Sequence, residues 1–232
     1  MKNLLIVFAS LLFFSACRYR TGSGNIVTEK RSTGAFTGVS AAGGFQVEIK
    51  NGPAEEVTGE ADDNLIKYIE TDVSSGQLRI RLKVYNVNDA HLKVFITAPE
   101  INKLNASAAA DIEAKDGLKS SGEINLQASS AAKITTAVDA PSVKADASSA
   151  GEISLSGRTK NFTAESSSGS NIKASQLLSE NTVATASSGA SAHVHASVTL
   201  EANASSGGNI NYLGGANVKV SQSSGGSVNK ED

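Results

Sequence analysis

The sequence is short of several residue types that globular and disordered chains commonly use. Its 232 residues include no tryptophan, one cysteine, one methionine and three prolines, and only 19% are charged. A disordered chain normally carries more charge and more proline, so this composition argues against disorder. The formal net charge of -2 supplies no basic field to gather nucleic acid, which excludes that class of partner.

Long apolar runs are also scarce, and the prominent one lies at the N-terminus. Lys2 precedes the apolar run 4–14, which is too short to span a bilayer and is typical of an export signal. Small residues then precede Cys17, an arrangement that resembles a bacterial lipobox. We therefore expect residues 1–16 to be a lipoprotein signal peptide and Cys17 to be the lipidation site. Residues 17–30 would then form the tether of the anchor.

A lone cysteine in an exported protein is either a reactive thiol or a modified one. An ordinary secretory signal with an incidental Cys17 is the alternative to a lipid anchor. Arg18, rather than Asp, follows the cysteine, so we see no inner-membrane retention signal. The sequence thus predicts an exported protein that meets the outer membrane through its N-terminal lipid. Whether it faces the periplasm or the cell surface stays open.

A serine-rich motif recurs through the second half of the chain at nearly constant spacing. Its first serines are Ser107, Ser129, Ser148, Ser167, Ser187, Ser205 and Ser223. Successive serines are 22, 19, 19, 20, 18 and 18 residues apart. A flexible linker would not keep such a phase. The period fits one coil of a β-solenoid and is too short for a propeller blade.

Positions counted from these serines separate the inward side chains from the outward ones. Five residues after the seven serines lie Ile112, Ile134, Ile153, Ile172, Ala192, Ile210 and Val228. Six of the seven are β-branched, which favours a buried strand, and a polar residue precedes each of them. We predict that these six β-branched residues are structural core and that the serines mark coil corners, where stacking demands small side chains. The Ala-rich inward positions indicate a thin interior with little room for a ligand.

The first half of the domain is less regular but has the alternation of β-strands. Residues 31–100 show apolar and polar side chains in turn, separated by Asn-Gly, Ser-Gly and Asn-Asp turn signals. A short helical turn is expected within 62–70, capped by Asp62 or Asp63. We predict one all-β domain over 31–232, a parallel β-helix or β-solenoid with coils of about 18–22 residues. Its irregular part is 31–100 and its regular repeats fill 101–232; a separate sandwich for the first half is the alternative.

The N-terminal motifs arrive in a familiar order. They are Gly22-Ser23-Gly24-Asn25-Ile26-Val27, Phe36-Thr37-Gly38-Val39, Gly44-Phe45-Gln46-Val47-Glu48-Ile49 and Glu60-Ala61-Asp62-Asp63-Asn64-Leu65-Ile66, followed by Ile69-Glu70-Thr71. This pattern, with the later Ser-Ser-Gly repeats, resembles the head GIN domain family of putative auto-transporter adhesins. The resemblance implies a bacterial, exported, often lipid-anchored protein with a right-handed parallel β-helix. It implies no mechanism and no catalytic residues.

Few residues offer chemistry. Asp111, Lys133 and Glu152 share one outward column on successive coils and should lie about 4.8 Å apart, which is typical of a solvated charge ladder. His193 and His195 share a strand face, but no third metal ligand has a suggestive spacing. The serines lack the strand-turn-helix context of a nucleophile elbow. We therefore predict neither a catalytic site nor a bound metal or cofactor.

The function that fits these observations is a non-enzymatic lipoprotein of the cell envelope. It would present a rigid β-solenoid surface for adhesion, with a glycan or protein of the envelope or of a host surface as its partner. Two alternatives stay open. A carbohydrate-active β-helix enzyme requires a cleft lined by close carboxylates, and a carrier of an apolar ligand requires a cavity or an exposed apolar groove.

Overall fold

The computed structural model describes residues 20–231, so Cys17 and the predicted signal peptide lie outside the described part of the chain. Within it, about two thirds of the chain is β-strand and the only helical segment is one 3-10 turn, Ile66–Tyr68. The strands are β1 (Arg20–Thr21), β2 (Ile26–Arg31), β3 (Gly38–Ala42), β4 (Gln46–Asn51), β5 (Glu56–Asp62), β6 (Ile69–Ser74), β7 (Gln77–Leu82), β8 (Val87–Asn88), β9 (Leu92–Ala98), β10 (Lys103–Ser107), β11 (Asp111–Lys119), β12 (Glu123–Ala128), β13 (Lys133–Ala147), β14 (Glu152–Ser166), β15 (Asn171–Ala186), β16 (Ser191–His195), β17 (Thr199–Ala204), β18 (Asn209–Leu213), β19 (Asn217–Gln222) and β20 (Ser227–Lys230).

The second half is a β-solenoid of about six turns, which confirms the predicted fold class. Strands one coil apart pair in parallel, and their register follows the sequence period: Ile134 lies opposite Ile153, and Val143 lies opposite Phe162. The seven serines stand at seven corners, and the six intervals between them are the six turns. Equal spacing in sequence thus becomes direct stacking in space.

The core is a set of columns that run through the coils. Five predicted core residues, Ile112, Ile134, Ile153, Ile172 and Ile210, have no exposed surface. Val228 differs from them because it is only partly buried, packed against the edge of the core. Its strand, β20, pairs with β18 on one side, and no further coil of the described chain covers the other side.

Each corner is a four-residue turn whose two central residues both have positive φ. At the corner that begins with Ser129, Ser130 has φ 54° and Ala131 has φ 60°. The turn is closed by a hydrogen bond from the Ala132 amide to the Ser129 carbonyl (3.2 Å), and the Ala131 amide donates to Ser149 of the next coil (3.0 Å). Two successive positive φ angles are the signature of a type I′ turn. The hydrogen-bond ladder therefore continues around the corners, and small residues are needed there for backbone reasons.

The irregular first half belongs to the same 18-stranded sheet, because β3 pairs in parallel with β10 and β4 with β11. It also contains antiparallel pairs: β2 with β5, β5 with β9, and β6 with β7. The first coil is covered by parallel pairing of β3 with β7 and of β4 with β9, so its edge is not left open. The antiparallel arrangement was not predicted from the sequence.

The predicted helical turn exists, but its cap was assigned wrongly. The 3-10 turn begins after Leu65, which makes no side-chain cap hydrogen bond. Neither Asp62 nor Asp63 caps it, because the Asp62 carboxyl accepts from the amides of Gly24 and His91 and the Asp63 carboxyl accepts from the Ser23 hydroxyl. No helix within residues 20–231 is long and apolar enough to cross a membrane.

Candidate functional site

The predicted charge column lies on the strands that follow the corners. The register places Asp111 opposite Lys133 and Lys133 opposite Glu152. Glu152 also meets a residue from the neighbouring column: its Oε2 is 2.6 Å from Lys173 Nζ, and its Oε1 is 3.7 Å from Lys133 Nζ. Parallel stacking thus brings together the three residues expected from sequence and adds Lys173, which belongs to the column two residues further along the strand.

A shallow groove of about 410 Å³ runs beside this column. Its polar lining comes from the four stacked strands β11, β13, β14 and β15 and consists of Glu113, Lys115, Thr135, Thr136, Ser154, Ser156, Lys173, Ser175 and Gln176. We call it the charged groove. Lys115 Nζ lies 2.5 Å from Glu113 Oε2 on the same strand, so charges of both signs are paired along its wall.

The surroundings of the two acidic residues of the column differ. Burial raises the pKa of the Asp111 carboxyl above its ordinary value, although the nearby Lys133 ammonium works in the opposite direction. A hydrogen bond from Lys173 lowers the pKa of Glu152, with Lys133 adding to the effect. Glu113 pairs with Lys115, and Glu152 pairs with Lys173. The arrangement is suited to binding a ligand through mixed charges and hydroxyl groups.

His193 and His195 lie on the same strand face, as their spacing indicates, but they do not form a metal centre with other residues. His193 Nδ1 is 3.6 Å from Glu231 Oε1, whereas the Nδ1 atom of His195 is buried without a hydrogen-bond partner. Within residues 20–231 no three His, Cys, Asp or Glu side chains are grouped so that they could hold a metal ion.

The N-terminal motifs, which sequence reasoning did not assign to a site, converge on two aspartates. Asp62 is buried and accepts hydrogen bonds from the backbone amides of Gly24 (2.7 Å) and His91 (2.8 Å). Asp63 accepts from the Ser23 hydroxyl (2.6 Å) and the Asn25 amide (2.8 Å). These contacts tie the start of the domain to the segments around residues 62 and 91. The motifs are therefore a structural clamp, which their separation of about forty residues did not reveal.

The corner serines form a regular line along one edge of the solenoid. Their backbone carbonyls close the turns, as at Ser148, which accepts from Gly151 (2.9 Å), and Ser205, which accepts from Gly208 (2.8 Å). This role belongs to the main chain and does not use the serine hydroxyl groups. It gives the serines a structural place and no reacting partner.

Comparison with known proteins places the chain among proteins of the same fold. The family model described as "Putative auto-transporter adhesin, head GIN domain" matches residues 35–216. No curated protein matches the sequence. Among the solved structures that it resembles are three of Bacteroides and Parabacteroides proteins, with sequence identities of at most 20%.

The first is a putative adhesin of Bacteroides fragilis, with a TM-score of 0.83, 17% identity, and coverage of 91% of this chain and 99% of that chain. The second is a putative lipid binding protein of Parabacteroides distasonis, with a TM-score of 0.73, 20% identity, and coverage of 93% and 100%. A putative adhesin of Parabacteroides merdae has a TM-score of 0.66, 19% identity, and coverage of 92% and 99%. At these identities the likeness shows the fold.

Proposed function

Because the chain belongs to the family of putative auto-transporter adhesins with a head GIN domain, we propose that it is a non-enzymatic binding protein of the cell envelope. Its task would be to hold a surface partner, a glycan or a protein, on the rigid outer faces of the solenoid. We propose the charged groove as the principal contact surface.

The observation that carries this proposal is the pairing of the groove's charges. Glu152 is held by Lys133 and Lys173, and Glu113 is held by Lys115. A polysaccharide lyase or hydrolase needs carboxyl groups that are free to move protons at a scissile bond. Ion-paired side chains on stacked strands supply instead a fixed pattern of donors and acceptors, which is what recognition requires.

An apolar-ligand carrier finds less support in the coil interior. Side chains with no more than 1% exposure, among them Leu126, Ile153 and Phe162, fill the space between the strands. The mixed charges that line the charged groove are also unfavourable for an apolar ligand, because they would lose water without gaining partners.

We further propose that Cys17 carries the lipid that attaches the protein to the outer membrane after removal of residues 1–16. The support is the pair of small residues before the cysteine, which follow a charged and then apolar stretch typical of an export signal. Several acyl chains give a stable anchor, since each buried CH₂ contributes about 0.8 kcal/mol. The solenoid would then stand on a short tether, with its faces accessible to a partner.

Beads coated with the full-length protein would test the binding role on arrays of glycans and of envelope and host-surface proteins. Lys173→Glu should abolish capture of the partner, because it removes an ammonium from the groove and leaves Glu152 beside a second carboxylate. Lys144→Glu is the matched control, since Lys144 pairs with Glu165 (3.3 Å) on strand segments that precede the corners. Equal capture by the wild type and Lys173→Glu would reject the charged groove as the contact surface.

A further inference from the structure

The strands that precede the corners carry a second groove, of about 390 Å³, on a different outer face from the charged groove. Its rim is a column of four polar residues on successive coils: Asn161, Asn181, Thr199 and Asn217. The register places them directly opposite one another in that order. With steps of about 4.8 Å, the column extends over about 14 Å. We call this the amide groove.

The rim residues are partly hydrogen-bonded to one another, and they keep further donors and acceptors in fixed directions for a ligand. The Asn181 side-chain amide donates to Asn161 Oδ1 (3.3 Å), and the Thr199 hydroxyl donates to Asn181 Oδ1 (2.8 Å). An asparagine side chain has two N–H donors and an acceptor oxygen with two lone pairs, so these bonds use only some of the donors and lone pairs of the rim. The mutual bonds also fix the orientation of the side chains, which lowers the entropic cost of binding.

The floor of the groove has an apolar patch and no net charge. Val183 points outward and is 42% exposed, and its column continues into Glu201 and Lys219. Those two charges are paired, with 3.4 Å between Lys219 Nζ and Glu201 Oε1. A sugar ring carries hydroxyl groups on its edge and C–H groups on its face. Amide groups can bond to the hydroxyl groups while the exposed apolar side chain contacts the C–H face. An ionic ligand would have to compete with the existing pair.

We propose that the amide groove binds an extended neutral glycan, whose hydroxyl groups bond to Asn161, Asn181, Thr199 and Asn217 while one sugar ring covers Val183. A sugar hydroxyl group both donates and accepts hydrogen bonds, and so do the side chains of the rim. A polysaccharide also repeats along its length, as the coils do. This site is separate from the charged groove and does not depend on the function proposed for it.

Calorimetric titration of the full-length protein with cellohexaose, mannohexaose and laminarihexaose tests this proposal, with hexagalacturonate as the acidic comparison. At least one neutral hexasaccharide should bind at one molecule per chain, and the acidic one should bind at least tenfold more weakly. Asn181→Ala should weaken the neutral complex about tenfold, the effect of one or two hydrogen bonds. Val183→Asp should weaken it at least as much, because it places an unpaired charge under the sugar ring.

Asn171→Ala is the matched control. Asn171 is also a partly buried asparagine bonded to the next coil, accepting from the Ser191 hydroxyl (3.1 Å), but it lies on the strands that follow the corners. It should leave binding unchanged, and the thermal transition of all three variants should stay close to that of the wild type. Failure of all three neutral hexasaccharides to bind would overturn the proposal. So would tighter binding of hexagalacturonate, or an equal loss in Asn171→Ala and Asn181→Ala.

Discussion

Two adjacent glycines at one corner provide a sharp test of how the coils stack. Gly207 has φ +72°, and a Cβ built on it would have no atom within 4 Å. Gly208 follows it, and its Cβ would lie 2.2 Å from the Ala186 carbonyl oxygen and 2.4 Å from the carbonyl carbon of the preceding coil. The two substitutions to alanine add the same methyl group, one into open space and the other into backbone.

The expected effects differ in origin and size. Gly207→Ala incurs the left-handed penalty of an L-residue, about 1–2 kcal/mol, partly offset by about 0.4–1 kcal/mol from the less flexible unfolded chain. The net loss should be about 1 kcal/mol. Gly208→Ala cannot be relieved by rotating a side chain, because the obstructing atoms are main chain. It should cost about 2–3 kcal/mol, the upper range for overpacking.

Urea denaturation of both variants, followed by far-UV circular dichroism, measures the two losses in free energy of unfolding. Alanine occupies the equivalent of Gly208 in other coils, at Ala110, Ala132 and Ala190, so those coils have room for the methyl group. The comparison therefore asks whether coil spacing is locally rigid. An equal or smaller loss for Gly208→Ala than for Gly207→Ala would show that the coils separate readily and would refute the reasoning.

Five further predictions concern the core, the two acidic residues of the charge column, the clamp and the anchor. Ile153→Asp should abolish the cooperative thermal transition, because it buries an unpaired charge between coils; a retained transition would reject the inward assignment. Asp111→Asn should raise the free energy of unfolding near neutral pH by about 0.2–1 kcal/mol, because folding raises the pKa of Asp111 and so disfavours its charged form. The gain should vanish below the carboxyl pKa range, because the wild-type Asp111 is then protonated in both the folded and the unfolded state. Glu152→Gln should lower the free energy of unfolding near neutral pH, because a pKa lowered by folding stabilises the protein above the pKa of the unfolded state and this stability is lost as pH falls. Urea titrations at several pH values measure both effects, and effects of equal sign for the two variants would contradict the assignment. Asp62→Ala should cost about 1–3 kcal/mol in the same assay, because the part-buried hydrogen bonds from the Gly24 and His91 amides are lost; a loss below about 0.5 kcal/mol would refute the clamp. Mass spectrometry of the mature protein should find acyl chains on Cys17, and Cys17→Ala should release the protein from membranes; an unmodified N-terminus would exclude the anchor.

The regular half was predictable because its period has a direct meaning in three dimensions. When one repeat equals one coil, residues one period apart must be neighbours, so the column of Asp111, Lys133 and Glu152 could be assembled from counting alone. The Ile column likewise separated inward from outward positions. What counting along one column missed was Lys173, whose side chain crosses from the adjacent column to reach Glu152.

The first half has no repeat from which neighbouring residues could be counted. The antiparallel pairing of β2 with β5 joins residues about thirty positions apart, and no sequence repeat indicates this pairing. The burial of Asp62 depends on backbone amides of Gly24 and His91, which are far away in sequence and have no side-chain signature. Long-range pairing of this kind is selected by the packing of the whole domain.

The sequence by itself determined the fold class, the corners and the orientation of each coil, because a repeated pattern of small, apolar and polar residues permits only one way of stacking. The tertiary structure alone decided where grooves form on the outer faces. The charged groove is lined by residues of four coils, and Lys173 reaches Glu152 of the coil before it. Such contacts depend on neighbours in three dimensions rather than on position within the repeat.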